Sequence, residues 1–255
     1  MQMRLLLLLL VALIQPVFSQ TKEITLEDIW TKKTFNTETL EAFHSMKNGD
    51  YYTIINHNSY GTYMDKYDYK TLEKVETLVL GKDLEGFKYF KDYTFSQDET
   101  KIIIGVNLKG IYRRSKIGKY YAYDLLSKSL EHISEYEIQE PTFSPDGSKI
   151  AFVLGNNIHL KDLLTKETIQ IKFDGEKNKI INGLADWVYE EEFSIVRAFE
   201  WNTASNKLAF LRFDESEVPE FSMDIYGKGV YPGSQTFKYP KPGENNSKVS
   251  LHLYD

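Results

Sequence analysis

Asp186-Trp187-Val188-Tyr189-Glu190-Glu191-Glu192-Phe193 sets four carboxylates among three aromatic rings within eight residues. Three successive glutamates repel one another, so a fold that buries any of them must supply positive charge from its own side chains or from a ligand. The ammonium of a peptide's free amino terminus would serve. A solvated acidic helix face is the alternative reading of the run.

The remaining chemistry-bearing residues argue mostly by exclusion. The chain has no cysteine, which removes thiol nucleophiles, disulfides and lipid attachment at sulfur. His44, His57, His132, His159 and His252 stand singly, without His-x-x-x-His or His-Glu spacing, so no metal site is expected. No Gly-x-Ser-x-Gly occurs; His57-Asn58-Ser59-Tyr60-Gly61 lacks the first glycine and reads as strand and turn. Gly227-Lys228-Gly229 with Gly233 lacks phosphate-loop spacing and reads as a turn near Pro232. The net charge of −6 and the small basic spot at Arg113-Arg114 exclude a nucleic-acid surface.

At the amino terminus, Arg4 precedes an apolar stretch from Leu5 to Ile14, then Pro16 and the small-residue segment Val17-Phe18-Ser19 before Gln20. This is the pattern of a cleavable secretory leader over 1–19, with an uncleaved anchor disfavoured because the apolar run is well short of the ~20 residues a spanning helix needs. A secreted or periplasmic location is therefore expected.

The elements that must position the acidic run repeat. Thr94-Phe95-Ser96-Gln97-Asp98-Glu99-Thr100-Lys101-Ile102, Thr142-Phe143-Ser144-Pro145-Asp146-Gly147-Ser148-Lys149-Ile150 and Glu200-Trp201-Asn202-Thr203-Ala204-Ser205-Asn206-Lys207-Leu208 each read as strand, tight turn, strand, with a looser copy at Asn48-Gly49-Asp50. Outer strands at Tyr67-Asp68-Tyr69, Tyr120 to Leu125 and Ile158 to Leu163 recur at a period near fifty residues. Four short strands at that spacing predict an all-β chain, a β-propeller of four-stranded blades, about four of which fit here. Val249 to Asp255 reads as the start of a further strand pair, and the chain as a fragment of something longer.

Helix is scarce. Thr25 and Asp28 have capping-box spacing, which predicts a short helix before the first blade. Tyr189 to Phe193 is a second candidate. The spacing from Phe143 to Trp201 is 58 residues against 48 from Phe95 to Phe143, so the acidic run lies in an insertion, where repeats often carry function.

Together, the run Asp186 to Glu192, the segments Arg212-Phe213-Asp214-Glu215-Ser216-Glu217-Val218 and Tyr239-Pro240-Lys241-Pro242-Gly243-Glu244, and Tyr112-Arg113-Arg114-Ser115 upstream of Tyr123-Asp124-Leu125 resemble the amino-terminal propeller of the dipeptidyl peptidase IV family of serine exopeptidases. The match looks most like the bacterial secreted members. The resemblance implies that Glu191 and Glu192, on a short inserted helix, grip the substrate's α-ammonium. It also implies that Arg113 binds the carbonyl oxygen of the substrate residue second from the cut and pairs with the glutamates, Arg114 being the second candidate.

The resemblance places the catalytic serine, aspartate and histidine on an α/β-hydrolase domain beyond 20–255, so no catalytic residue is expected in this chain. It further implies no metal or organic cofactor, peptide substrates with a free amino terminus and Pro or Ala second, and a homodimer. Prolyl tripeptidyl peptidase and a non-catalytic peptide-binding propeller are the rival readings.

Overall fold

The computed structural model describes residues 22–37 and 39–255, so the expected leader over 1–19 lies outside the described residues. The chain forms two units, Met1–Thr39 and Leu40–Asp255. In the first, helix α1 (Leu26–Trp30) begins where its capping box predicts: Thr25 Oγ1 accepts from the Asp28 amide at 3.1 Å, and Asp28 Oδ2 accepts from the Thr25 amide at 3.2 Å.

Antiparallel four-stranded sheets make up the second unit. The first is β1 (Glu41–Ser45), β2 (Tyr51–Asn58), β3 (Gly61–Asp68) and β4 (Lys74–Leu80), paired in chain order. The same order recurs in β5 (Asp92–Phe95), β6 (Lys101–Gly110), β7 (Lys116–Asp124) and β8 (Leu130–His132). It recurs again in β9 (Gln139–Phe143), β10 (Lys149–Leu154), β11 (Asn157–Asp162) and β12 (Thr168–Gln170).

Repeated turn chemistry explains the regularity. Ser96 accepts from the Lys101 amide at 3.0 Å and donates to Asp98 at 2.6 Å, and Ser144 does the same with Lys149 at 2.9 Å and Asp146 at 2.6 Å. Asn202 takes over in the third copy, its Oδ1 accepting from the Asn206 and Lys207 amides at 3.0 and 2.9 Å. At the outer turns Asp68, Asp124 and Asp162 each accept from two backbone amides on one oxygen, which holds these carboxyls below the usual range.

The core lies between sheets. Alternate residues of a strand face opposite sides, so a strand covered on both faces reads as a continuous apolar run. Ile150 and Phe152 of β10 pack toward the preceding sheet with Ile103, Tyr120 and Ile138, while Ala151 and Val153 pack toward the following one with Leu184, Phe199 and Phe210. Ile102 and Ile104 of β6 likewise meet Met64 and Val79 of the first sheet.

The fourth sheet departs from the pattern in two places. Both β13 (Ile180–Asn182) and β14 (Phe199–Trp201) pair antiparallel with β15 (Leu208–Asp214), at Asp214–Arg212 and Phe210–Leu208 respectively. They are two pieces of one inner strand. The chain leaves it at Gly183 and returns at Ala198 through a narrow neck closed by the Leu184–Arg197 bridge and the Ala198 amide on Gly183 O at 3.0 Å. Gly183 sits at φ +81°, and a Cβ there would come within 2.7 Å of the Ile158 side chain, so glycine is the residue this exit requires.

A second excursion separates β15 from its other neighbour. After β15 come β16 (Glu220–Ile225) and β17 (Gly233–Lys238), a two-stranded hairpin whose tip holds Gly227-Lys228-Gly229, as the turn reading expects. Then β18 (Lys248–Tyr254) pairs with β15 along all seven of its residues, Leu208 opposite Tyr254 through Asp214 opposite Lys248. Lys248–Tyr254 is thus a strand of the fourth blade. A hairpin inserted between two paired strands hides their adjacency from any argument based on spacing.

Candidate functional site

Helix α2 (Trp187–Phe193) stands on the neck that interrupts the fourth inner strand. Asp186 caps it: Oδ1 accepts from the Tyr189 amide at 2.9 Å, and Oδ2 accepts a hydrogen bond from the Ser247 hydroxyl. Its last turn closes on Ser194 in the left-handed region at φ 58°. Tyr189 packs edge-on against Phe213, centroids 5.0 Å apart, which seats the helix on the buried end of β15.

Consecutive helical residues turn by about 100°, so three adjacent glutamates point three ways. Glu190 is buried, with 2 % of its surface exposed. Its Oε1 accepts from the amides of Arg114 at 2.7 Å and Ser115 at 2.9 Å, and its own carbonyl oxygen accepts from the Arg114 guanidinium at 3.1 Å. Both amides belong to the tight loop between β6 and β7, itself closed by Ile111 N on Ser115 O at 2.9 Å and Tyr112 N on Ser115 Oγ at 3.2 Å. One side chain of the fourth sheet's insertion therefore pins a loop of the second sheet.

That anchorage brings Arg113 to Glu191. The Arg113 Nε lies 2.9 Å from Glu191 Oε2, the glutamate side chain 15 % exposed and the arginine 71 %. A pair this open to water contributes about 0–1 kcal/mol to stability. Glu192 is exposed on the next position of α2. Of the expected residues, Arg113 and Glu191 are in direct contact, and Glu192 is the exposed residue that follows Glu191 on the helix.

Glu190 and Arg114 hold structural parts that the sequence reading did not assign. The helical phase from the Asp186 cap was the available signal: Glu190, four residues on, shares the cap's inward side, whereas Glu191 and Glu192 rotate away from it.

Behind the loop, Tyr112 is pushed up to about 12 by burial and by the Glu215, Glu190 and Asp186 charges, so it stays a neutral phenol. The carboxyl of Glu215 is pushed from 4.5 up to about 7 by burial, then by Asp186, with Lys238 opposing. A carboxyl whose folded value lies above its unfolded one binds more protons when folded, so stability falls as pH rises from about 4.5 to about 7. Glu215→Gln removes this slope. Thermal unfolding across pH 4.5–8 is expected to show the variant gaining on the parent as pH rises; parallel curves would refute the assignment.

The other candidates are accounted for locally. His57 in the imitation serine motif bonds Thr62 Oγ1 and Glu41 Oε2, both at 2.9 Å. His159 and His252 stack on Phe152 and Phe210 at 5.4 and 5.3 Å. Among the described residues no cluster of three metal-ligating side chains occurs, and no helix is long and apolar enough to cross a membrane.

Repeated four-stranded antiparallel sheets with a capped helix inserted in one inner strand define a β-propeller that carries a charged site on its insertion. The family model for the dipeptidyl peptidase IV (DPP IV) N-terminal region matches residues 96–255. The chain belongs to that family, as its DPP IV-like amino-terminal propeller region. It is 35 % identical over 213 residues to dipeptidyl aminopeptidase B of Saccharomyces cerevisiae, covering 81 % of this chain and 25 % of the yeast protein. It is 36 % identical over 169 residues to prolyl endopeptidase FAP of Mus musculus, covering 64 % of this chain and 22 % of the mouse protein. The crystal structure of Porphyromonas gingivalis dipeptidyl peptidase 4 superposes with a TM-score of 0.83 at 37 % identity, over 92 % of this chain and 34 % of that one. The chain thus spans about a quarter of the length of these two curated relatives.

Proposed function

We propose that this chain is the substrate-selecting propeller portion of a secreted or periplasmic serine exopeptidase that removes Xaa-Pro and Xaa-Ala dipeptides from peptide amino termini. Glu191 and Glu192 grip the substrate's α-ammonium, and Arg113 takes the carbonyl oxygen of the residue second from the cut. The serine, aspartate and histidine of the chemistry lie outside this chain, no metal or organic cofactor takes part, and the whole enzyme works as a homodimer.

The reading rests on one contact, the Arg113–Glu191 pair at 2.9 Å, held by a buried glutamate on the neighbouring position. Two carboxylates facing one ammonium form a charge-assisted clamp that an amide nitrogen cannot satisfy, so a free amino terminus is selected. A clamp fixed in a rigid fold also fixes the distance to the nucleophile, and a two-residue span gives dipeptide release.

Two substrates test it on the protein in its full natural length. Gly-Pro-anilide should be cleaved and its N-acetyl form should not. For the free substrate kcat/KM should fall above pH ~8, because the ammonium that binds loses its proton there. Because one relative bears the name endopeptidase, cleavage of the acetylated substrate is the outcome that would reject dipeptide release by ammonium capture. A flat alkaline profile would reject the clamp.

A further inference from the structure

Between the second and third sheets lies a cavity of about 120 Å³, walled in part by Asp92 of β5, Gly105 of β6, Tyr120 of β7 and Glu140 of β9. Strand register creates the space. Asp92 pairs with Gly105 and Gly105 with Tyr120, so the three stand in a row across the second sheet and share one face. Gly105 contributes no side chain to that row. A Cβ there would come within 3.0 Å of the Tyr120 ring, which therefore leans over the glycine toward Asp92.

Tyr120 is 9 % exposed, and its hydroxyl makes no hydrogen bond with any described residue. Buried polar groups are almost always paired, so this oxygen calls for a partner from outside the chain. Glu140 closes the other side of the cavity. It sits at φ 50° where the β9–β10 register slips between Ala151 and Val153, a bulge that re-aims the side chain it carries. Its carboxyl also bonds no described residue. Asp92 meets only the exposed Lys116, at 3.3 Å.

Two carboxylates and a phenol oxygen thus converge on a space with room for an ion and several waters. No imidazole or thiol lines it, which disfavours zinc. Magnesium demands a near-ideal octahedron, whereas calcium accepts an irregular shell of about six to eight oxygens, water included. Oxygens set by a bulge on one sheet and a leaning ring on another suit the second ion.

We propose that this cavity is a calcium site that ties the second sheet to the third, with Asp92, Glu140 and the Tyr120 hydroxyl as its protein ligands and water completing the shell. The ion is structural and takes no part in peptide cleavage. Lys116 turns to water as the ion binds. With two carboxylates, and the Arg197 charge near Glu140 opposing, the dissociation constant should fall at roughly 10⁻⁴–10⁻³ M, the range of extracellular calcium modules.

Calcium chloride, titrated calorimetrically into chelator-treated protein of full natural length, decides it. Saturable binding in that range and a Tm that rises with calcium are expected. Glu140→Gln and Asp92→Asn should each weaken binding at least tenfold, and magnesium should bind the parent at least tenfold more weakly than calcium. Lys116 is exposed, so Lys116→Ala keeps the fold should the carboxylate variants lose it, and it should tighten calcium severalfold by removing an opposing charge. The site is overturned if the parent binds no calcium up to about 10⁻² M, or if magnesium binds as tightly. It is equally overturned if calcium affinity is unmoved in the folded carboxylate variants or in Lys116→Ala.

Discussion

Replacing Glu191 with alanine is expected to lower kcat/KM for a free-amino Xaa-Pro substrate roughly a hundredfold or more. Removing one partner of a desolvated, hydrogen-bonded charge pair costs about 2–5 kcal/mol, and each 1.4 kcal/mol is a factor of ten. The native side chain is only 15 % exposed and already bonds a cation, so it meets an ammonium with little further ordering. Alanine also leaves Arg113 without this partner, which turns a neutral pair into a bare cation facing the incoming ammonium. The loss should fall on free-amino substrates and spare stability, since a pair this exposed on the arginine side holds little of the fold together. Steady-state kinetics alongside thermal unfolding check both halves. An unchanged kcat/KM would remove Glu191 from the site, and a large fall in Tm would reassign it to the fold.

For Glu190→Ala the expected order is reversed, with stability failing first. Its Oε1 satisfies the amides of Arg114 and Ser115, and an unsatisfied buried donor costs about 1–3 kcal/mol. Losing both bonds should therefore cost roughly 2–6 kcal/mol, or about 4–24 °C in Tm for a unit of this size. Because the two amides lie in the loop that carries Arg113, the variant should also lose affinity for free-amino peptides. Glu190→Gln keeps an oxygen where both bonds are accepted, so it should recover most of the stability. Amide hydrogen exchange reads the mechanism directly: Arg114 and Ser115 should exchange faster in the alanine variant and near the parent rate in the glutamine one. Unchanged protection at those amides in Glu190→Ala would refute the anchor.

The two variants also explain how much of the site was legible. Three identical letters carried no information about which glutamate is buried; the Asp186 cap did, once the helix was granted. The Arg113–Glu191 contact follows from no local rule, because the residues joined by the Glu190 anchor lie 75 and 76 positions apart in different sheets. The β16–β17 hairpin left no repeat to recognise.

From the sequence alone came the blade period, the tight turns within 94–102, 142–150 and 200–208, the recurring outer strands, the Thr25 cap and the existence of an insertion around the acidic run. All of these depend on hydrogen bonds that close within about five residues, or on the two-residue alternation of a strand, so the letters suffice. Tertiary structure decided that the fourth inner strand is split at Gly183 and Ala198, that β18 pairs with β15 across the hairpin, that Glu190 is buried and Glu192 exposed, and that Arg113 meets Glu191. These rest on contacts between distant segments, whose loop-closure entropy is repaid only when the whole sheet array is in place.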